Sequence, residues 1–128
     1  MRARSVLFLP ASNPRAIDKA RSLDCDVAIL DLEDAVAPEA KAQARAAAAS
    51  AVRDGGFGPR LGVRVNGADT DWGADDLTAL AEVGAGLIVL PKIEESTAVV
   101  RAAEGVPRAR LWAMIETPPA LFRLPEIA

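Results

Sequence analysis

The sequence predicts an α/β fold built on a parallel sheet. Five short apolar runs have the length of strands, and their first residues lie 21 to 34 positions apart. Helix start and stop signals fill each interval, and a parallel strand pair needs a crossover of about a dozen residues or more. Strand–helix alternation at this spacing is typical of βαβ units. The five runs are Val6–Leu9, Val27–Leu30, Leu61–Val65, Leu87–Leu90 and Leu111–Ile115.

The intervals between the runs carry recognisable helix boundaries. Asn13 is placed to cap a helix that begins at Pro14, since asparagine is favoured at the cap and proline directly after it. The hydroxyl of Ser96 is expected to cap the fourth helix in the same way. The other expected boundaries are a start at Pro38, ends at Gly55, Gly84 and Gly105, and a last start at Thr117-Pro118-Pro119.

The first strand and the strand ends favour a barrel over a doubly wound sheet. A doubly wound sheet usually has a glycine-rich phosphate turn after its first strand, whereas Pro10–Pro14 contains no glycine. A barrel places polar residues at the carboxyl ends of several strands. Four of the five runs end in such residues, which are Asp31–Asp34, Arg64–Asn66, Lys92 and Glu116.

The chain is too short to close a barrel alone. A (β/α)8 barrel takes about 250 residues, whereas this chain has 128. We therefore predict one domain over residues 1–128 that forms the N-terminal part of a TIM (β/α)8 barrel, with about five of its eight units. Its first and fifth strands would be open edges, so we expect further chain or another copy to cover them.

Composition excludes several classes of function. The net charge is −3 with both signs interspersed, so no basic stripe neutralises phosphates and nucleic-acid binding is not expected. No apolar run approaches the roughly 20 residues of a membrane helix. The single cysteine, Cys25, fits a reducing cytoplasm. Because the chain has no histidine, its chemistry has to come from carboxylates, arginine and lysine.

Arg64 is the first candidate for chemistry. Strand alternation places Arg64 and Asn66 on the face opposite Val63 and Val65. The aliphatic face suits a helix layer, so the arginine would point into the barrel. A guanidinium there needs an anion. That anion is either a bound carboxylate or oxyanion, or a structural ion-pair partner within Asp31–Asp34, and the sequence leaves both open.

Carboxylates and one lysine complete the set of candidates. Three acidic residues within Asp31–Asp34 repel one another, and a divalent cation or a buried arginine would offset that repulsion. Glu116 shares a strand face with Trp112 and Met114, and it either reaches a ligand or lies in solvent beside a helix N-terminus. Lys92 either contacts substrate or phosphate, or is simply solvated.

Ordered motifs extend over essentially the whole chain. They are Arg4–Pro10, Asp26–Pro38, Lys41 with Ala44-Arg45, Arg64–Asn66, Val89–Glu94 and Met114–Pro118. In order and spacing these motifs resemble the citrate lyase β-subunit family, also called the HpcH/HpaI aldolases. One local departure is Ala11, where the family usually has glycine, and this bears on how the first loop would contact CoA.

The resemblance implies a TIM barrel that binds Mg²⁺ at the carboxyl ends of its strands. Glu116 then becomes a metal ligand and substrate contact, and Arg64 becomes the catalytic residue that contacts the substrate oxygens. Glu33 is expected to hold metal-bound water. The resemblance also places a second carboxylate ligand on the sixth strand, beyond Ala128, and an acidic catalytic group on a neighbouring subunit.

The activity implied by the resemblance is a Mg²⁺-dependent carbon–carbon lyase of retro-Claisen or retro-aldol type. It would split a 3-hydroxyacyl-CoA such as citryl-CoA, malyl-CoA or citramalyl-CoA into an acyl-CoA and an oxo acid. Hydrolysis of a thioester, linked to this cleavage, is also compatible with the resemblance. Its partners would be a small oxo or hydroxy acid, a CoA thioester and further copies in a homo-oligomer, a trimer or hexamer. The alternatives are a CoA-independent oxo-acid aldolase and a non-catalytic half-barrel subunit.

Overall fold

The computed structural model describes residues 2–128, and it contains one five-stranded sheet. The strands are β1 (Val6–Pro10), β2 (Val27–Asp31), β3 (Arg60–Arg64), β4 (Leu87–Leu90) and β5 (Arg110–Ala113). All neighbouring strands are parallel, and their order along the sheet is β1-β2-β3-β4-β5. A doubly wound sheet would reverse its strand order at a switch point. The sequential order therefore confirms the prediction of a barrel segment.

Each strand is followed by a helix. The helices are α1 (Pro14–Ala20), α2 (Lys41–Asp54), α3 (Gly73–Glu82), α4 (Ser96–Gly105), α5 (Pro118–Phe122) and α6 (Leu124–Ile127), and a 3₁₀ turn at Pro38–Ala40 precedes α2. Within residues 2–128 none of them is long and apolar enough to cross a membrane.

The two predicted helix caps have different outcomes. Asn13 caps α1 as expected, because its Oδ1 accepts hydrogen bonds from the backbone N–H groups of Arg15 (3.0 Å) and Ala16 (3.3 Å). The fourth helix does start at Ser96, but the predicted cap by its hydroxyl is wrong. Glu95 has the extended backbone of a cap residue (φ −138°, ψ 143°), so Ser96 is already the first residue of α4 and its hydroxyl caps nothing.

Side chains of the strands alternate between the two faces of the sheet. Residues such as Leu30, Val63 and Ile88 point outward and pack with helical residues in the larger core. The opposite face of the sheet carries a smaller core that includes Ile29 and Val89. β2 and β4 are buried along their whole length, as strands covered on both faces should be. The smaller core corresponds to the interior of a barrel.

Gly62 allows the inner core to close over β3. A Cβ at this position would lie 2.7 Å from Cδ1 of Ile29 and 2.9 Å from Cδ2 of Leu87, and both neighbours are buried. Glycine therefore lets side chains from β2 and β4 meet across β3, two residues before Arg64.

β1 and β5 are the open edges of the sheet. Val6, Leu7 and Phe8 on β1 are 40, 44 and 42% exposed. Three of the four residues of β5 are half-buried and Arg110 is exposed. Proteins normally pair or cover such edges. That further chain or another copy covers them here stays a prediction.

The substitution Gly62→Ala tests the closed packing of the inner core. The added methyl should lower the free energy of unfolding by about 1–3 kcal/mol, because buried neighbours have to leave their preferred rotamers. Urea unfolding measures the loss. Gly86→Ala is the matched control, since nothing lies within 4 Å of a Cβ there. Equal stabilities of the two variants would contradict the packing described.

Candidate functional site

Charged residues converge beyond the carboxyl ends of four neighbouring strands. Asp31 and Arg64 are the last residues of β2 and β3. Lys92 follows β4 by two positions, and Glu116 follows β5 by three. Contacts connect these residues, together with Glu33, into one continuous row. The residues selected from the sequence for this site therefore do lie at one edge of the sheet.

Arg64 and Asp31 form a buried two-pronged ion pair. The Nε atom of Arg64 donates to Oδ1 of Asp31 at 2.7 Å, and its Nη2 atom donates to Oδ2 at 2.6 Å. The two residues are register partners on adjacent strands, which explains why they meet. Their side chains are 12% and 1% exposed. The ion-pair role left open for Arg64 is therefore occupied by Asp31.

Asp31 has further partners that fix it in place. Its oxygens also accept hydrogen bonds from the backbone N–H groups of Glu33 (2.9 Å) and Ala35 (3.0 Å). Burial raises the pKa of Asp31, but the hydrogen bonds from Arg64 and from these N–H groups outweigh it, so the pKa lies below its ordinary value. Asp31 is thus a charged anchor whose hydrogen-bonding capacity is used within the protein.

One nitrogen of Arg64 remains outside that pair. Its Nη1 lies 3.3 Å from Oε1 of Glu33 and 3.8 Å from the sulfur of Met114, and the guanidinium lies 5.0 Å from the ring centroid of Phe8. The hydrogen bond to Asp31 raises the pKa of Arg64, so the group stays charged. Oε1 of Glu33 is buried and accepts no hydrogen bond within residues 2–128.

Lys92 connects Glu33 to Glu116. Its ammonium lies 2.9 Å from Oε2 of Glu33 and 3.4 Å from Oδ1 of Asp34. Its backbone N–H donates to Oε1 of Glu116 at 2.8 Å. The hydrogen bond with Glu33 raises the pKa of Lys92, although the side chain is 55% exposed. Lys92 is therefore solvated, as one of the two alternatives has it, but it also pairs with carboxylates.

Glu116 is the exposed end of the row. The face it was expected to share carries Trp112 and Met114, and both pack against the inner core. Glu116 itself follows the end of β5 and is exposed, with one oxygen held by Lys92.

A buried network supports the row from the helix side. Asp76 on α3 is fully buried, and its Oδ2 accepts from the backbone N–H (2.9 Å) and Nδ2 (2.7 Å) of Asn66. Arg45 on α2 donates to its Oδ1 at 2.8 Å. Asn66 was predicted to share the inward face of Arg64. That prediction is wrong, because β3 ends at Arg64 and strand alternation does not extend to Asn66.

Three residues of the supporting layer were not selected from the sequence as site residues. They are Lys41, Arg45 and Asp76. The Nζ atom of Lys41 donates to the carbonyl oxygens of Leu32 and Glu33, both at 2.9 Å. A signal was present, since two basic residues four positions apart in an alanine-rich helix share one face.

The carboxylate oxygens at this site supply only part of what a Mg²⁺ ion needs as ligands. Within residues 2–128, no group of three or more His, Cys, Asp or Glu side chains is arranged to hold a metal ion. Asp31 is fully engaged, so the oxygens left for a cation are the exposed carboxylates of Glu116 and Asp34 and Oε1 of Glu33, which accepts no hydrogen bond but lies 3.3 Å from Nη1 of Arg64. Mg²⁺ prefers such oxygen donors and commonly binds through one or two carboxylates while it keeps several waters.

A cavity of about 730 Å³ opens beside the row. It lies between the loops that follow β3 and β4, and its lining includes Glu33, Lys92 and Thr117. The hydroxyl oxygen of Thr117 is buried and has no hydrogen-bond partner within residues 2–128. A volume of about 730 Å³ is large enough for a small organic molecule.

Comparison with known proteins identifies the family. The HpcH/HpaI aldolase/citrate lyase family model matches residues 4–128. The chain belongs to this family. A (3S)-malyl-CoA thioesterase of Cereibacter sphaeroides is 44% identical over 126 residues, which cover 98% of this chain and 44% of that protein. An L-malyl-CoA/beta-methylmalyl-CoA lyase of the same species is 43% identical over 94 residues, which cover 70% of this chain and 30% of that protein.

A solved structure has the same fold. The protein CitE of Mycobacterium tuberculosis, in complex with magnesium, acetoacetate and coenzyme A, is similar with a TM-score of 0.79 and 37% identity. The match covers 95% of this chain and 43% of that one. The chain thus spans 44% of that thioesterase and 43% of that CitE chain, in agreement with a partial TIM barrel.

Asp31→Asn tests the buried anchor. The uncharged amide leaves the Arg64 guanidinium without its partner, and removal of one member of a buried pair typically costs about 3–5 kcal/mol of unfolding free energy. Because the pKa of Asp31 is lowered on folding, its contribution is present at neutral pH and is lost as the pH falls through the folded-state pKa.

Urea unfolding from pH 7 down into the acid range measures both effects. The Asp31→Asn variant should lose stability at pH 7 and show a weaker loss on acidification than the wild type. Asp24→Asn is the control, since Asp24 is exposed. An Asp31→Asn variant with the same acid dependence as wild type would exclude this role for Asp31.

Proposed function

We propose that the protein containing this chain is a Mg²⁺-dependent carbon–carbon lyase that splits a 3-hydroxyacyl-CoA into an acyl-CoA and an oxo acid. The observation that carries the proposal is the charged row, in which Arg64 keeps one nitrogen outside its Asp31 pair and Glu116 presents an exposed carboxylate. Family relatives with malyl-CoA lyase and thioesterase activities, and a neighbour bound to magnesium and coenzyme A, support this substrate class.

Glu116 and Glu33 are the residues we assign to the metal. Glu116 would bind Mg²⁺ directly, and Glu33 would hold a water molecule on the ion. When bound, Mg²⁺ polarises the carbonyl of the oxo acid as a Lewis acid. Glu116 suits this role because it is exposed while one of its oxygens is held by the N–H of Lys92.

Arg64 is the residue we assign to charge stabilisation. Cleavage of the carbon–carbon bond moves negative charge onto oxygen, and a donor fixed in advance stabilises such charge without reorganising during the reaction. Asp31 holds the guanidinium plane at two points, so the direction of the third nitrogen is set before substrate binds.

Thioester hydrolysis is the second candidate function. It is favoured by the relative named (3S)-malyl-CoA thioesterase, which is 44% identical over nearly the whole chain. Arg64 would then stabilise charge at the thioester carbonyl, and the products would be free CoA and a hydroxy acid. A homo-oligomer, a trimer or hexamer, is also part of our proposal, and sedimentation equilibrium of the native protein tests it.

Glu116→Ala should weaken Mg²⁺ binding and abolish turnover at limiting Mg²⁺. A hard cation held by few carboxylates depends strongly on each one. Isothermal titration calorimetry of the native gene product measures the affinity, and a coupled assay of the oxo acid measures turnover. Glu104→Ala, at an exposed position on α4, is the control. Unchanged Mg²⁺ affinity in the Glu116 variant would remove Glu116 from the metal site.

Arg64→Lys should lower kcat far more than it raises KM. Lysine keeps the charge but loses the planar fork that grips Asp31 and directs the third nitrogen. The loss of one well-placed donor typically costs about 10²–10³ in kcat. Steady-state kinetics with malyl-CoA and urea unfolding are measured together. Reduced stability with normal kinetics would show that Arg64 serves only as the partner of Asp31.

A further inference from the structure

Lys92 has a backbone conformation that favours glycine. Its φ is 47°, and it is the one non-glycine residue with a positive φ in the part of the chain that the structure describes. A side chain at positive φ is strained, whereas glycine adopts this region readily. The other positive-φ residues are Gly55, Gly56 and Gly84. Strain of this kind persists where surrounding contacts hold it, often at functional sites.

The turn at Lys92 directs its backbone N–H and its ammonium to two different carboxylates of the row. The N–H of the next residue, Ile93, still donates to the carbonyl of Met114 across the β4–β5 pair. The N–H of Lys92 instead donates to the side chain of Glu116, at 2.8 Å. The ammonium of Lys92 reaches Glu33, which follows β2, at 2.9 Å. Lys92 thereby links the ends of β5 and β2 across β3.

Glu33 is shared between two cations. Its Oε2 lies 2.9 Å from the ammonium of Lys92, and its Oε1 lies 3.3 Å from Nη1 of Arg64. Glu33 is 8% exposed, so it needs both positive charges more than a solvated carboxylate would. Without the ammonium, Glu33 would have Arg64 as its main cationic partner and would draw Nη1 towards itself.

We propose that Lys92 is a positioning residue that sets Glu116 and Glu33 on either side of Arg64. Its backbone N–H holds Glu116, and its ammonium holds Oε2 of Glu33, so that Glu33 shares its charge between two cations and does not bind Nη1 of Arg64 more closely. The left-handed backbone serves both contacts at once. This inference rests on the proposed function and assigns to Lys92 a role that acts through its neighbours.

Three substitutions separate the effect of the Lys92 ammonium from the effect of its backbone N–H. Lys92→Gly keeps the N–H and relieves the strained φ but removes the ammonium. Lys92→Met also removes the ammonium but keeps a side chain at positive φ. Lys92→Arg keeps the charge. Lys19→Met, at an exposed position on α1, is the matched control for the loss of a lysine.

Steady-state kinetics and urea unfolding of the native gene product give the first test. The Gly and Met variants should both lose about 10²-fold in kcat with little change in KM, since small misplacements at a reaction centre cost this much. The Gly variant should nevertheless be the more stable of the two. Lys92→Arg should restore most of the activity. Wild-type kcat in Lys92→Gly, or activity that follows stability through the series, would overturn the proposal.

NMR gives a second test that does not depend on turnover. The backbone amide proton of Lys92 should shift upfield in Glu116→Ala, and its ammonium nitrogen resonance should shift in Glu33→Gln. If neither resonance responds, the positioning role is wrong even in an active enzyme. A third outcome is that both resonances respond but the protein does not turn over CoA esters with Mg²⁺. In that case the proposed function is wrong, whereas the two contacts of Lys92 are confirmed.

Discussion

A guanidinium that is only 12% exposed at the end of β3 requires an anion, and the rest of the site is arranged around how that requirement is met. Asp31 meets it from the adjacent strand, in register, with two hydrogen bonds of 2.7 and 2.6 Å. Because Asp31 is also held by two backbone N–H groups, the pair behaves as one rigid unit. Arg64 can therefore be the structural partner of Asp31 and still act in catalysis, because Asp31 holds two of its nitrogens and the third nitrogen is left outside the pair.

The carboxylates of the site differ in environment, and this separates their roles. Asp31 is buried and all its hydrogen bonds are made within the protein, so its role is structural. Glu33 is nearly buried and shared between Arg64 and Lys92. Glu116 is exposed and held at one oxygen only, so its other oxygen is free to bind a ligand. The supporting contacts of Lys41 and Asp76 lie behind this row and fix the loops from which it projects.

Local patterns predicted most of the fold. The strands and the start of α1 depend on short-range periodicity and on capping by Asn13, and both can be read directly from the sequence. The carboxyl-end location of Arg64, Glu33 and Glu116 followed from the polar ends of the strands. Their roles as ligand, water holder and catalytic residue stay predictions.

The remaining features depend on tertiary structure. Asp31, rather than another acidic residue, pairs with Arg64 because of the register between β2 and β3. The position of Asn66 depends on where β3 ends, and the cap of α4 depends on the backbone of Glu95. The positive φ of Lys92 has no signature in the sequence, because lysine is not a residue that usually marks a left-handed turn.

Product analysis with malyl-CoA tests the central claim most directly. The native gene product is incubated with malyl-CoA and Mg²⁺, and acyl-CoA, free CoA and oxo acid are quantified by chromatography. Our account predicts acetyl-CoA and glyoxylate in equal amounts, with both lost when Mg²⁺ is chelated. Free CoA and malate without glyoxylate, or cleavage that persists without Mg²⁺, would contradict it.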